Sequence, residues 1–394
     1  MNENRVLVRI AKIDSIEPVF VKSGEPARSE LAHIGGWRAT VGRGEFQPGD
    51  LVVFAEPDSI FPEDDRWRFL ERYHWKIKTQ KYNNILTENG EKLISQGLIL
   101  PLSMLPEGTP TELGADVTKS LGVTHAPEVD EDPYESNAEF DTKGTKQVHL
   151  NWIPKSINKK MMRYAWYRKM VLPKPVDKGF PKEVSKTDEE RIQNCGQMLK
   201  VPTRWTATEK VDGMSSTYLL RRKKAGLLKR ILGKREYEFV ICSRNNKLGP
   251  NSTFPQVVMA KKYKVREALE KLIGDNAWVC VQGETSGPKI QQNRQGLTEN
   301  RLFIFNLIYP AGRVKSLKAK EMVEEVGLEF VPIVADGVVF GEDATEEMVL
   351  KYADGYSLLN PKKRREGIVF RSEKGCLDLS FKAVSPEYLL KIGE

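Results

Sequence analysis

From residue 181 onward the chain contains six apolar, strand-like runs and only two helical ones, and that ratio sets the fold class. The runs are "STYLL" (216–220), "EYEFVICS" (236–243), "AWVCVQGE" (277–284), "RLFIFNLIY" (301–309), "EGIVFRS" (366–372) and "CLDLSFKAV" (376–384). Each is short, rich in β-branched and aromatic residues, and bounded by turn formers or charges, as strands are. "FPQVVMAKKYKVREALEKLI" (254–273) and "LKAKEMVEEVG" (317–327) carry their apolar residues at helical spacing instead. The pattern predicts an α+β domain of long antiparallel strands. Neither a GxGxxG turn nor a GxxxxGK[ST] loop is present, so dinucleotide and P-loop folds are not indicated.

The first 120 residues read differently. "RVLVRIAKIDSIEPV" alternates apolar and polar positions, "QPGDLVVFAE" feeds a strand from a Pro-Gly-Asp turn, and "ISQGLILPL" is a short run stopped by Pro101. Short strands punctuated by Gly and Pro predict a small N-terminal OB-type β-barrel, with "EDDRWRFLERYHWKIKT" as a helical insertion carrying aromatic anchors. Between the two parts the composition swings sharply. Residues 128–141 hold seven acids and no base, which reads as a solvated linker. "PKSINKKMMRYAWYRKMVLPKP" (154–175) then holds seven Lys or Arg and no acid, with Tyr164, Trp166 and Tyr167 among them. An amphipathic helix packed on the core and a nucleic-acid contact both fit that segment. The expected organisation is therefore 1–120, a connecting segment 121–180, and a domain over 181–394.

Composition narrows the function classes. At 394 residues, with 40% hydrophobic and 29% charged residues, the chain has globular composition and room for two domains. No apolar run approaches the roughly 20 residues that span a bilayer, and "MNENRVLVRIAKID" lacks a signal-peptide core. Membrane partners are therefore not expected. The four cysteines stand far apart without a CxxC pair, which predicts free thiols and no zinc site. A formal charge of +8 suits a polyanionic partner.

"ATEKVDGMSST" (207–217) contains a K-x-D-G sequence, a weak signal taken alone because a lysine beside acids is usually a surface ion pair. Weight comes from an ordered series of residues further along the chain. These are Ser243-Arg244-Asn245, Gln282-Gly283-Glu284, Phe303 and Phe305 in "LFIFNL", Glu366-Gly367, and Lys382 in "DLSFKAVS". In order and type they resemble motifs I, Ia, III, IIIa, IV and V of the covalent nucleotidyltransferases, the superfamily of ATP-dependent DNA and RNA ligases and mRNA capping enzymes. The resemblance implies a nucleotidyltransferase (ATP-grasp-like DNA/RNA ligase) domain of antiparallel sheets and helices. It also implies that Lys210 attacks the α-phosphate of ATP. A free lysine, with its pKa near ~10.4, must be activated to do so.

By the same resemblance, Asp212, Glu284 and Glu366 hold hydrated Mg²⁺ or Mn²⁺, which oxygen-only donors suit. Glu284 also meets the ribose, Phe305 stacks on adenine and Glu209 meets the adenine edge. Arg244 and Lys382 neutralise phosphate charge. Each has a plainer reading beside it: Phe305 as core, Glu366 as a surface ion pair after "KKRR".

Within the superfamily, the chain ends twelve residues after Lys382, leaving no room for a C-terminal OB domain, and the expected OB module is N-terminal instead. "KTDEERIQN" about twenty residues before Lys210 resembles nick-sealing RNA ligases with an N-terminal OB module. This resemblance implies that Arg191 reaches the nucleotide phosphates or the RNA end; a helix-surface arginine is the alternative. One departure stands out. Such ligases often have Lys-x-Lys in motif V, where this chain has Ser380-Phe381-Lys382, and Lys374 or Lys363 are the candidates to compensate. "RRKKAGLLKRILGKR" (221–235) has eight bases and no acid, and suits a solvated hairpin loop or an RNA grip equally. The expectation is an ATP-dependent RNA ligase, monomeric, cytoplasmic or viral, with RNA ends or a nicked duplex as partner. A DNA ligase, a GTP-using capping-type enzyme and a non-catalytic nucleic-acid-binding relative are the alternatives.

Overall fold

The computed structural model describes residues 6–125, 179–187, 189–223, 236–249, 252–373 and 378–392. The acidic segment 128–141 and the basic aromatic segment 154–175 lie outside the described residues, as do Lys374 and most of the basic run 221–235.

The N-terminal part is built from strands β1 (Val8–Lys12), β2 (Ser15–Val21), β3 (Pro26–Ile34), β4 (Trp37–Gly42) and β5 (Leu51–Ala55). The short β6 (Ser59–Ile60), β7 (Gln80–Leu86), β8 (Lys92–Ser95), β9 (Leu98–Leu100) and β10 (Thr124–His125) complete it. One sheet runs β1-β5-β9, another β4-β3-β2-β7-β8, and β6 pairs with β10. The alternating run 5–19 forms two strands rather than one, because the chain turns at Asp14, whose carboxylate accepts the Gly35 N–H at 2.6 Å. Both faces of the β1–β5 pair are covered. Val8, Ile10, Val53 and Ala55 face Phe61, Trp67 and Leu100, while Ala11, Val52 and Phe54 face Trp37 and Ile34. The insertion forms a 3₁₀ turn, Asp65–Tyr73, capped by Asp64 and ended by His74 in the left-handed region. Its Trp67 is fully buried against Phe61, ring centroids 4.7 Å apart.

The C-terminal part begins its regular structure at β11 (Trp205–Lys210), β12 (Met214–Arg222), β13 (Tyr237–Cys242), β14 (Lys247–Leu248) and β15 (Trp278–Ser286). It continues through β16 (Arg301–Tyr309), β17 (Gly312–Arg313), β18 (Glu329–Phe330), β19 (Ile333–Val338), β20 (Gly367–Ser372) and β21 (Ser380–Val384). A four-stranded sheet, β19-β11-β20-β21, lies beside a seven-stranded arrangement ordered β14-β13-β12-β15-β16-β17 with β18 added on β16. The helices are α1 (Pro255–Lys262), α2 (Val265–Leu272), α3 (Ser316–Glu325), α4 (Glu346–Ala353) and α5 (Pro386–Ile392). The stretch 254–273 is thus two helices, because Lys264 takes a left-handed conformation (φ 49°) between them. The main core packs α1, α2 and α3 on the larger sheet through Val257, Leu269, Val281, Leu307 and Val323. Among the described residues no helix is long and apolar enough to cross a membrane.

The K-V-D-G sequence is the seam between the two sheets. β11 ends at Lys210 in the smaller sheet, and β12 starts at Met214 in the larger one. This jump brings backbones very close. A Cβ on Gly213 would sit 2.4 Å from the Thr285 carbonyl oxygen, and one on Gly367 would sit 2.2 Å from that of Ala383. Backbone cannot swing aside as a side chain can, so both positions require glycine. Gly367→Ala is expected to destabilise the protein by about 1–3 kcal/mol, read as a lowered denaturant midpoint with an unchanged slope.

Candidate active site

Alternation along β11 decides which residues meet. Trp205 and Ala207 point into the core formed with Ile368, Phe370 and Phe381. Thr206, Thr208 and Lys210 occupy the other face. There the Lys210 Nζ donates to Glu366 Oε1 at 2.5 Å, with the two side chains 29% and 15% exposed. Register explains the contact, since Lys210 pairs with Gly367 and Glu366 immediately precedes it. Asp212 and Glu284 complete the acidic surroundings, Glu284 from β15 opposite Ser215. The Asp212 turn is held by Ser286, whose hydroxyl donates to the Asp212 carbonyl at 2.7 Å.

The electrostatics follow from this packing. Burial alone would pull the Lys210 ammonium down, but Glu366, Glu284 and Asp212 outweigh it and hold the pKa above the ordinary lysine value. Burial pushes Glu284 up to about 8, helped by Glu366 and Asp212 and opposed by Lys210 and Arg244. Burial also raises Glu366, with Lys210 and Lys382 opposing. Two carboxylate oxygens, Asp212 Oδ2 and Glu366 Oε2, are buried without a hydrogen-bond partner. Such orphaned acceptors fit a divalent cation. Among the described residues no three His, Cys, Asp or Glu side chains stand grouped to ligate one ion directly.

The remaining expected residues divide. Arg244, half-buried in the turn between β13 and β14, is close enough to act on Glu284. Lys382 lies on β21 opposite Val369 and acts on Glu366. Phe305 is the extra residue of a β-bulge, since Gln282 pairs with Asn306 but Gly283 pairs with Ile304. Bulges re-aim side chains, and here the ring is half-buried with the Arg371 guanidinium 5.4 Å from its centroid. Arg371 also donates to Thr208 Oγ1 at 3.1 Å, on the same face of β11 as Lys210. Phe305 is thereby linked to the face of β11 that carries Lys210.

Two expected residues are not brought into the cluster. Glu209 neighbours Lys210 in sequence and so points to the opposite face of β11. There it is buried, accepting from the Ser357 hydroxyl and the Leu358 N–H. Arg191 pairs through its backbone with Lys382, but its side chain runs to the N-terminal part. Its guanidinium lies 3.5 Å from Asp58 Oδ2 and over the Trp37 ring, with Nε and Nη1 buried and unbonded. The departure at motif V has a local explanation as well. Ser380 stands directly across from Arg371, and both bind the Glu189 carboxylate, so a cation occupies the neighbouring strand rather than position 380.

Three residues went unread in the sequence. Arg294 places Nη1 3.8 Å from Asp212 Oδ2 and its guanidinium over the Tyr388 ring. Gln295, with its amide turned to satisfy its neighbours, pairs with both the N–H and the carbonyl of Asp212. Asn194 ties the two parts of the chain, donating to the buried Glu56 at 2.8 Å and accepting from Trp37 Nε1 at 2.7 Å.

The raised Glu284 carries a pH signature. Its carboxyl ionises near 4.5 in the unfolded chain but near about 8 when folded, so the folded state holds the extra proton between those values. Stability is then lost as pH rises through that window. In chelator-treated protein, Glu284→Gln is expected to flatten the fall in melting temperature between pH 5 and 8; an unaltered slope would contradict the assignment.

Comparison with known proteins agrees with this fold. An OB-fold domain model matches residues 7–102 and an RNA ligase model matches residues 203–384. Among solved structures, a Naegleria gruberi RNA ligase mutant with AMP and Mn is 27% identical, with TM-score 0.72, covering 98% of this chain and 99% of that one. The same organism's RNA ligase with PPi is 27% identical with TM-score 0.71, covering 98% of each chain. A further mutant of it with ATP and Mn matches at 27% identity and TM-score 0.71, again over 98% of each. No curated protein matches. The two modules match in order, and 98% of the chain superposes on one solved RNA ligase, so an OB-fold domain here precedes an RNA ligase domain.

Proposed function

We propose that this enzyme joins an RNA 3′-OH to an RNA 5′-phosphate at the expense of ATP, through AMP bound covalently to Lys210. The observation that carries the reading is the Lys210 amine held at 2.5 Å by Glu366 inside a ring of acids with two orphaned oxygens. The Naegleria gruberi structures with ATP, AMP and Mn support the choice of nucleotide and metal class.

In the first step the Lys210 ammonium loses a proton, its nitrogen attacks the α-phosphorus to form a P–N bond, the α–β P–O bond breaks to release pyrophosphate, and the nitrogen's second proton passes to solvent. The RNA 5′-phosphate oxygen then attacks the same phosphorus and regenerates the amine. Finally the 3′-OH attacks the 5′-phosphate, loses its proton and expels AMP. A bound Mg²⁺ or Mn²⁺ would supply positive charge against the acids and the α-phosphate. Asp212, Glu284 and Glu366 would hold it through waters. Glu366 also positions the lysine. Arg244 and Lys382 meet phosphate charge as it develops, and Phe305 supports the adenine face. In this reading Glu209 braces a loop, and Arg191 reaches phosphate only if its contact with Asp58 opens.

The same proposal takes residues 1–120 as the OB module, 121–180 as the connector and 181–394 as the ligase domain, acting as a monomer within the cell. The OB module either helps hold the nicked duplex or assists the step with ATP.

The decisive comparison uses a nicked RNA duplex with a 5′-phosphate and another with a chemically pre-adenylylated 5′ end. Lys210→Ala is expected to lose sealing of the first by about a thousandfold or more, while retaining sealing of the second. ATP is expected to support sealing and GTP not. Equal sealing of both duplexes by Lys210→Ala would refute the covalent route.

A further inference from the structure

Beside the nucleophile's sheet runs a loop that the reaction above does not use. It connects α4 to β20, and "GYSLLNPKKRR" (355–365) holds four cations and no acid. Tyr356 and Leu358 are 56% and 55% exposed, unusual for side chains of that size. Lys362 and Lys363 are exposed, and the Arg364 guanidinium lies 4.7 Å from the Tyr356 ring centroid, leaving the rest of the ring open.

The loop is braced at several points. Arg365 donates to the carbonyls of Tyr352, Ala353 and Asp354. Leu359 packs on the main core. The bracing leads to both flanks of Lys210. On one side Glu209 grips Ser357 and the Leu358 N–H. On the other, Asn360 donates to the Gln295 carbonyl at 2.7 Å, and the Gln295 amide pairs with the Asp212 backbone. The exposed tip is therefore fixed in register with the nucleophile.

We propose that residues 356–364 form a platform on which the RNA substrate rests beside Lys210. The proposal rests on the ligase reading and adds where the substrate is held. Lys362, Lys363 and Arg364, with no acid among residues 356–364, complement phosphates. Tyr356 and Leu358 give a flat apolar tip that suits ribose and base edges in the wide, shallow minor groove of A-form RNA, or a base unstacked at the nick. Arg364 over Tyr356 keeps the ring in place. The tether through Glu209 and Gln295 explains why rigidity matters here: strand ends resting on the platform stay aligned with the amine that activates them.

The first step needs no RNA, and that separates the two readings. Two double variants, Tyr356→Ala with Leu358→Ala and Lys362→Ala with Arg364→Ala, would be assayed for lysyl-AMP formation with labelled ATP. Binding to a fluorescent nicked all-RNA duplex would be measured over a range of salt concentrations. Both variants are expected to form lysyl-AMP within about twofold of the parent. The Tyr356/Leu358 variant should bind the duplex at least about fivefold more weakly, as expected for one lost stacking contact. The Lys362/Arg364 variant should lower the slope of log affinity against log salt by about 1–2. Unchanged affinity, slope and sealing would overturn the platform and leave this face to another partner, such as a protein. Loss of lysyl-AMP at an intact melting temperature would overturn it too. Failure of the unmodified enzyme to form lysyl-AMP would sink the ligase reading alone, since the binding arms still test the platform.

Discussion

A lysine ammonium pinned by a glutamate, among further acids, is the contact on which the rest of this molecule turns. Lys210 and Glu366 meet at 2.5 Å because β11 and β20 pair in a register that sets Lys210 opposite Gly367. The same acids that fix the amine in place also keep it protonated. A reaction at that nitrogen therefore requires the acids to be engaged by something else, and the two orphaned carboxylate oxygens are the groups available for it. In the proposed reaction, positioning and activation of the amine stay opposed until positive charge engages those acids.

The two-sheet architecture serves that contact. The chain crosses from the smaller to the larger sheet within residues 211–213, which lets acids from β15 and from the start of β20 converge on one amine. Close backbone approach is the condition, and the motif glycines meet it. The β-bulge at Phe305 turns a ring out of an otherwise apolar strand, and Arg371 fixes it through Thr208, Asn306 and Glu189. Buried guanidinium networks of this kind hold only when every donor is matched. Here the cation on β20 also accounts for a serine at position 380.

Much of this was legible in the residues. The six strand runs and the α+β class required only periodicity, while the ordered motif residues were read through the resemblance to the covalent nucleotidyltransferases. What was not legible comes from geometry that periodicity does not encode. "RLFIFNLIY" is apolar nearly throughout, so its phase, and hence the bulge, is hidden. The break at Lys264 lies inside a continuous helical pattern that has no glycine or proline between Gln256 and Ile273. Arg191 is drawn away by Asp58 and Trp37, which are more than 130 positions distant in sequence and joined to it only by tertiary packing. Glu209 is a different case: strand alternation alone separates it from Lys210, and the signal was present in "TATEK".

The most direct test of the central claim is to locate the nucleotide on the protein. After brief incubation with ATP and Mg²⁺ or Mn²⁺, proteolysis under mildly alkaline conditions that preserve the P–N bond, followed by fragmentation mass spectrometry, should place a single AMP on the peptide containing "ATEKVDGMSST", at Lys210. AMP on any other residue, or its absence while RNA is still sealed, would contradict the account.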